Sequence, residues 1–390
     1  MSFDEIIERR GSHCEKWDAM EPLFGVPATT GIAMWVADMD FRPPACVSQS
    51  VQAMVDHGVF GYFGNDVPYR EAITWWMQSR HGWSVDPASI FSTHGLVNGT
   101  GLCVDAFTEK GDAVVLFTPV YHAFARVIKA AGREVRELPL VNNAGRLEMD
   151  FAGYEAMMTG SERMVILCSP HNPGGRVWTG AELRALADFC TKHDLILIAD
   201  EIHHDLVFPG HHHLPMPLAA PDCLDRLVMM TATTKTFNIA GCHCGNVIIT
   251  DPTLRATFAA RLNALGISPN AFGMHMARAA YSPEGAVWVD ALMAYLAGNQ
   301  RLFNAGMAAI PGVRPMDLQA TYLAWVDFSG TGMEPAEFTR RVEQQAQIAV
   351  SYGHSFGTGG ENFLRINIAT PRSVVAEAVE RLHRAFADLQ

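Results

Sequence analysis

Val228-Met229-Met230-Thr231-Ala232-Thr233-Thr234-Lys235-Thr236-Phe237-Asn238-Ile239-Ala240-Gly241 sets one lysine in a run of apolar, hydroxyl-bearing and small residues. A solvated ammonium is poorly accommodated there, whereas a neutral, nucleophilic amine is favoured. The chain holds five lysines against twenty-four arginines. Lys16 lies in a polar N-terminal stretch, Lys110 in the turn Glu109-Lys110-Gly111-Asp112, Lys129 in a helical pattern and Lys192 at a helix end. Lys235 alone is expected to be unsolvated. A lysine whose stem packs while its tip reaches water is the competing reading of this stretch.

Outward from Lys235 the chain reads as layered α/β. Apolar runs of strand length recur at 114–117, 164–168, 195–199, 227–230 and 247–249, after a short strand at 90–93. Helical patterns occupy 47–57, 69–81, 102–107, 123–131 and 179–193, the last opening with the capping box Thr179-Gly180-Ala181-Glu182. Near-continuous apolar strands alternating with helices predict a mostly parallel sheet covered on both faces, a three-layer αβα arrangement. After residue 285 the pattern becomes a long helix at 288–308, strands at 322–327 and 363–369, and helices at 335–349 and 372–388. The expectation is a large domain over 46–284 and a smaller α+β domain made of 285–390 with the N-terminal arm, 1–45.

In such a sheet ligands gather at the carboxyl ends of the strands. The residues met there are Tyr121, Asn172 in Ser169-Pro170-His171-Asn172-Pro173-Gly174-Gly175-Arg176, Asp200-Glu201-Ile202-His203, and Lys235. Singly each has an ordinary reading: a core ring, a turn, a helix cap. Together they bring an aromatic, an amide, a carboxylate and an amine to one edge. The loop His94-Gly95-Leu96-Val97-Asn98-Gly99-Thr100-Gly101, between strand and helix, suits an anion through its backbone N–H groups and the helix dipole. It matches neither the dinucleotide fingerprint nor a Walker loop. In the arm, Asp38 and Asp40 flank Met39 and read either as an acid/base pair or as solvated or capping groups of a short strand. Arg365, inside an apolar strand, is either a fork for a carboxylate or a solvent-facing residue.

The formal net charge of -12 and the lack of any basic patch with interleaved aromatics exclude a nucleic-acid surface. The N-terminus is charged from its first residues, unlike a signal or transit peptide, and no apolar run spans a bilayer. Eight scattered cysteines, including Cys103, Cys168 and Cys190 within apolar runs, fit reduced core thiols in a cytoplasmic protein. Neither Cys242-His243-Cys244 nor His211-His212-His213 has zinc spacing, so no metal is expected.

The motifs Asn172-Pro173-x-Gly-Arg176, Asp200-Glu201-Ile202-His203 and Thr234-Lys235-Thr236-Phe237-Asn238 resemble fold-type I pyridoxal phosphate (PLP) enzymes of the aminotransferase superfamily. The stretches 35–41, 168–173 and 363–367 resemble its branch of cystathionine β-lyases and related carbon–sulfur lyases, the MalY/PatB group. The resemblance runs almost from end to end. It implies that Lys235 binds the cofactor aldehyde covalently and then moves the substrate Cα proton. Asp200 would keep the pyridine nitrogen protonated, Asn172 would bond the ring hydroxyl and Tyr121 would stack on the ring. Gly95, Leu96, Val97 and Thr234 would hold the phosphate, Arg365 the substrate carboxylate, and Ala37 and Asp38 would line the substrate pocket. Tyr62 would reach the phosphate of a neighbouring subunit, implying a homodimer.

Two positions depart from the aspartate aminotransferase pattern. His203 stands where that branch has a tyrosine, in keeping with the lyases, and His243 where it has a phosphate-pairing arginine. The first functional expectation is β-elimination from cystathionine or an S-substituted cysteine, giving thiol, pyruvate and ammonia. The alternatives are an aminotransferase and a non-catalytic PLP-fold protein that binds a regulatory partner.

Overall fold

The computed structural model describes residues 2–268 and 270–389. Its centre is a seven-stranded sheet in the order Ile90–Thr93, Gly245–Ile248, Leu227–Thr231, Ile196–Asp200, Glu162–Cys168, Ala113–Leu116, Glu134–Glu137. Only Gly245–Ile248 runs antiparallel to its neighbours. The other strands are in parallel register, with Ala199 beside Met229 and Leu167 beside Ala199. Ala113–Leu116 and Leu227–Thr231 are buried throughout, as expected of strands covered on both faces. Each fully buried Val, Leu or Met side chain there contributes about 1.5–3 kcal/mol.

The edge strand Glu134–Glu137, Glu-Val-Arg-Glu, escaped the sequence reading because its charged side chains suit a sheet edge and break the apolar run. The hairpin Val141–Asn143 with Arg146–Glu148 is likewise polar. The capping box at Thr179 is formed, both halves being present. The expected loop at 94–101 is shorter than anticipated: the helix Leu96–Phe107 starts directly after Gly95, whose φ of +82° only glycine adopts readily.

A second, four-stranded sheet has the order Arg314–Pro315, Leu323–Asp327, Phe363–Asn367, Ser351–Tyr352. The helix expected over 335–349 stops early. Pro335–Arg340 is α-helical, Arg341–Gln345 is a π turn, and Ile348–Ala349 is a strand paired in parallel with Ile32–Ala33 of the N-terminal arm. Backbone pairing with the arm overrides local helix preference there.

The arm continues as an extended segment laid between the two sheets. Met34 N donates to Ala349 O at 2.9 Å, Asn367 N to Met34 O at 2.8 Å and Asp40 N to Ala369 O at 2.9 Å. Its acids are neither solvated nor capping: Asp40 pairs with Lys16 at 2.8 Å and Arg9 at 2.8 Å and accepts from Trp17 Nε1 at 2.9 Å, and Asp38 pairs with Arg9 at 2.8 Å. Lys16 is therefore buried, correcting the expectation that Lys235 alone lacks solvent. The misreading arose because Lys16 is neutralised by a residue distant in sequence. Among the described residues no helix is long and apolar enough to cross a membrane.

Candidate active site

Parallel strand order delivers the chemistry to one edge. Lys235 follows the Leu227–Thr231 strand, on the short helix Thr233–Thr236, and Asp200 ends the adjacent strand. Asn172 follows the next strand, and Tyr121 precedes the helix His122–Ala130 beyond the one after it. Lys235 Nζ donates to the Ala37 carbonyl at 2.7 Å, and Tyr322 Oη donates to the same oxygen at 2.9 Å. Asn238 fixes that part of the arm, accepting from Met39 N at 2.8 Å and donating to Met39 O at 2.8 Å and Phe41 O at 2.7 Å. Burial pushes the Lys235 amine down to about 8, against the opposing pull of Asp38. Asp200 is pushed up to about 7 by burial, although Ile202 N donates to it at 3.1 Å and Lys235 lies near.

Arg365 is buried rather than solvent-facing, on the Phe363–Asn367 strand. It donates to Asn172 Oδ1 at 3.0 Å, to Trp35 O at 2.9 Å and to Ser351 Oγ at 3.0 Å, and its guanidinium lies 4.9 Å from the Phe356 ring centroid. Its Nε has no hydrogen-bond partner among the described residues. His203 is buried with Nδ1 unpartnered among the described residues, and burial together with the charges of Lys235 and Arg365 keeps its ring neutral. Tyr121 is half-buried, Thr234 is buried, and Ala37 and Asp38 lie in the arm segment beside Lys235.

The first turn of the helix after Gly95 leaves N–H groups of Leu96 and Val97 without intrahelical partners. Gly245 lets a strand approach this turn: a Cβ there would lie 2.6 Å from Leu96 Cδ2 and 2.9 Å from the Gly95 carbonyl carbon. His243, itself at φ +46°, places Nδ1 4.0 Å from where a Gly95 Cβ would stand. Tyr62 is not among these residues. It is fully exposed, with Phe63, Phe272 and His275 around the same hollow.

Tyr322, Ser351 and Phe356 were missed in the sequence, because nothing local distinguishes them from core or loop residues. The donor set suits a phosphorylated pyridine. It has a cradle of helix N–H groups, a buried carboxylate, an amide, a half-buried amine and, among the described residues, unpartnered polar atoms on Arg365 and His203.

Fold and site together define a class, the fold-type I PLP-dependent enzymes. The pattern of the family "Aminotransferase class I and II" matches residues 33–382, and the chain belongs to that family. It is 38% identical over 390 residues to cystathionine beta-lyase PatB of Bacillus subtilis, covering 99% of this chain and 100% of that one. It is 31% identical to protein MalY of Escherichia coli, covering 98% of each. The crystal structure of cystalysin from Treponema denticola, which contains pyridoxal 5'-phosphate, superposes with a TM-score of 0.95 at 33% identity, covering 100% of this chain and 99% of that one.

Proposed function

We propose that the protein is a PLP-dependent carbon–sulfur β-lyase acting on cystathionine or an S-substituted cysteine. The observation that carries this reading is the placement of the half-buried Lys235 amine, held down to about 8, and the buried Asp200 carboxylate at adjacent strand ends. The names of the relatives at 38% and 31% identity support the lyase over the transaminase outcome. When bound, PLP supplies an electron sink that acidifies the substrate Cα–H and allows the β-substituent to depart.

In this reading the Lys235 amine removes the Cα proton, and the thiolate leaves Cβ with its bonding pair and is protonated. The aminoacrylate that results hydrolyses to pyruvate and ammonia. Asp200 retains the pyridine-nitrogen proton by its charge, Asn172 bonds the ring hydroxyl and Tyr121 covers one ring face. Gly95, Leu96, Val97 and Thr234 take the phosphate. Arg365 grips the substrate α-carboxylate by its planar fork, its unpartnered Nε–H being free to donate. His203 stays a neutral neighbour of the ring, and Ala37 and Asp38 border the substrate. Purified protein given cystathionine is expected to release pyruvate and thiol without any added 2-oxo acid. Turnover that requires a 2-oxo acid and frees no thiol would replace this reading with the aminotransferase.

A homodimer completes the site in the same reading. Val59, Phe60, Tyr62, Val67 and Phe272 form an exposed apolar set, which a lone soluble subunit rarely leaves uncovered. The Tyr62 hydroxyl then donates to the phosphate in the second subunit. Sedimentation is expected to give a dimer, and Tyr62→Phe is expected to weaken cofactor retention in dialysis by about 10-fold, one hydrogen bond to a charged group. A monomer that retains cofactor as well as the dimer does would refute it. The eight free thiols support a reducing, cytoplasmic setting.

A further inference from the structure

Residues 200–205 present groups to two environments. Asp200 and His203 belong to the site above, whereas Glu201, His204 and Asp205 are buried with His81 and His213. Asp205 is the hub. Its Oδ1 accepts from Trp76 Nε1 at 3.0 Å and lies 2.8 Å from His81 Nε2, both from the helix Val67–His81. Its Oδ2 accepts from the Thr236 hydroxyl at 2.9 Å and lies 3.1 Å from His204 Nε2. Glu201 is engaged separately, by His213 Nε2 at 2.8 Å and Met216 N at 2.8 Å.

Burial opposes charge on Asp205, yet His204 and His81 hold its carboxyl well below the usual range. Burial drives His81 down to about 4, while Asp205 keeps His204 above its ordinary value despite the same burial. The cluster pairs a buried carboxylate with the His81 and His204 rings; Trp76, Thr236 and His81 hydrogen-bond it, whereas neither ring nitrogen of His204 has a hydrogen-bond partner among the described residues. Such pairs add little net stability over apolar packing, so its placement needs another explanation. Its ligand-type atoms on His81, His204 and Asp205 lie within 4.8 Å of one another, which zinc would tolerate. However, Trp76 and Thr236 already donate to both oxygens, the arrangement of a hydrogen-bonded brace.

Thr236 adjoins Lys235, and Asp205 lies on the segment that begins at Asp200. The Thr236–Asp205 bond therefore links the two segments that carry the groups assigned to opposite ends of the cofactor ring. We propose that Asp205, acting through Thr236, is a positioning residue that sets the separation of Lys235 and Asp200. The inference rests on the roles given to those two residues under the proposed function.

The test compares wild type, Thr236→Val and Thr236→Ser as holoenzymes, by visible circular dichroism of the bound cofactor and by kcat and KM for cystathionine. Thr236→Val keeps the volume and removes the donor; Thr236→Ser restores the donor. Misplacement of reacting groups by about 1 Å costs on the order of 100-fold. Thr236→Val is therefore expected to change the dichroism and lower kcat by about 10- to 100-fold, with KM within about 3-fold of wild type and recovery in Thr236→Ser. Unchanged dichroism in Thr236→Val, equal losses in both variants, or a stoichiometric metal in the wild type by elemental analysis would overturn the proposal. A wild type without lyase turnover would count against the proposed function instead, and the dichroism comparison would still decide the brace.

Discussion

Lys235→Ala is expected to eliminate turnover, a fall in kcat on the order of 10⁴-fold or more, since the substitution removes the group assigned to proton transfer together with the covalent anchor. The visible absorption of the bound cofactor should be lost with it. Turnover surviving in Lys235→Ala would remove the basis of the functional reading. Stability moves the other way. The folded amine binds its proton less tightly than the unfolded one, with a value of about 8 against 10.5. The cost to the fold is thus absent above the unfolded value and complete below about 8. At pH 7 cofactor-free Lys235→Ala should melt no lower than its parent, which calorimetry can check. For the same reason, cofactor capture by the cofactor-free wild type should speed up as pH rises, with its midpoint near about 8. A capture rate still climbing toward the ordinary lysine range would mean that the amine is solvated.

Asp200→Asn should separate binding from chemistry. An amide can still donate to an unprotonated pyridine nitrogen, so cofactor is retained, but it cannot hold a proton on that nitrogen by charge. The expected loss in kcat is about 10²- to 10³-fold, the usual cost of removing one aimed electrostatic group, with little change in KM. The burial that raises Asp200 to about 7 in the cofactor-free protein is the force that a positive ring N–H offsets. Full kcat in Asp200→Asn would show that the ring nitrogen needs no charge partner. A rise in KM with kcat unchanged would move the role of Asp200 to substrate binding.

These groups were legible in the sequence because they follow strands whose apolar runs are plain. Lys235, Asp200, Asn172 and Tyr121 are each local to a strand end, and a parallel sheet brings strand ends together. Glu134–Glu137 was not legible, since a charged edge strand carries no apolar signal. The helix end at 346–349 was misread because its strand partner, Ile32–Ala33, lies at the far end of the chain. Lys16 was misread for the same kind of reason, its partner Asp40 being contributed by another part of the arm.

The sequence by itself determined the α/β class, the mostly parallel sheet and the family resemblance, and it placed the amine, carboxylate and amide proposed for the site at strand ends. All of these depend on residue type and spacing within one strand and the turn that follows it. Only the tertiary structure decided that Arg365 faces inward onto Asn172, that the Ala37 carbonyl receives both Lys235 and Tyr322, and that Asp205 reaches Thr236. Each is a contact between segments distant along the chain, set by how the arm and the two sheets pack, and hydrophobic periodicity carries no record of which distant groups will meet.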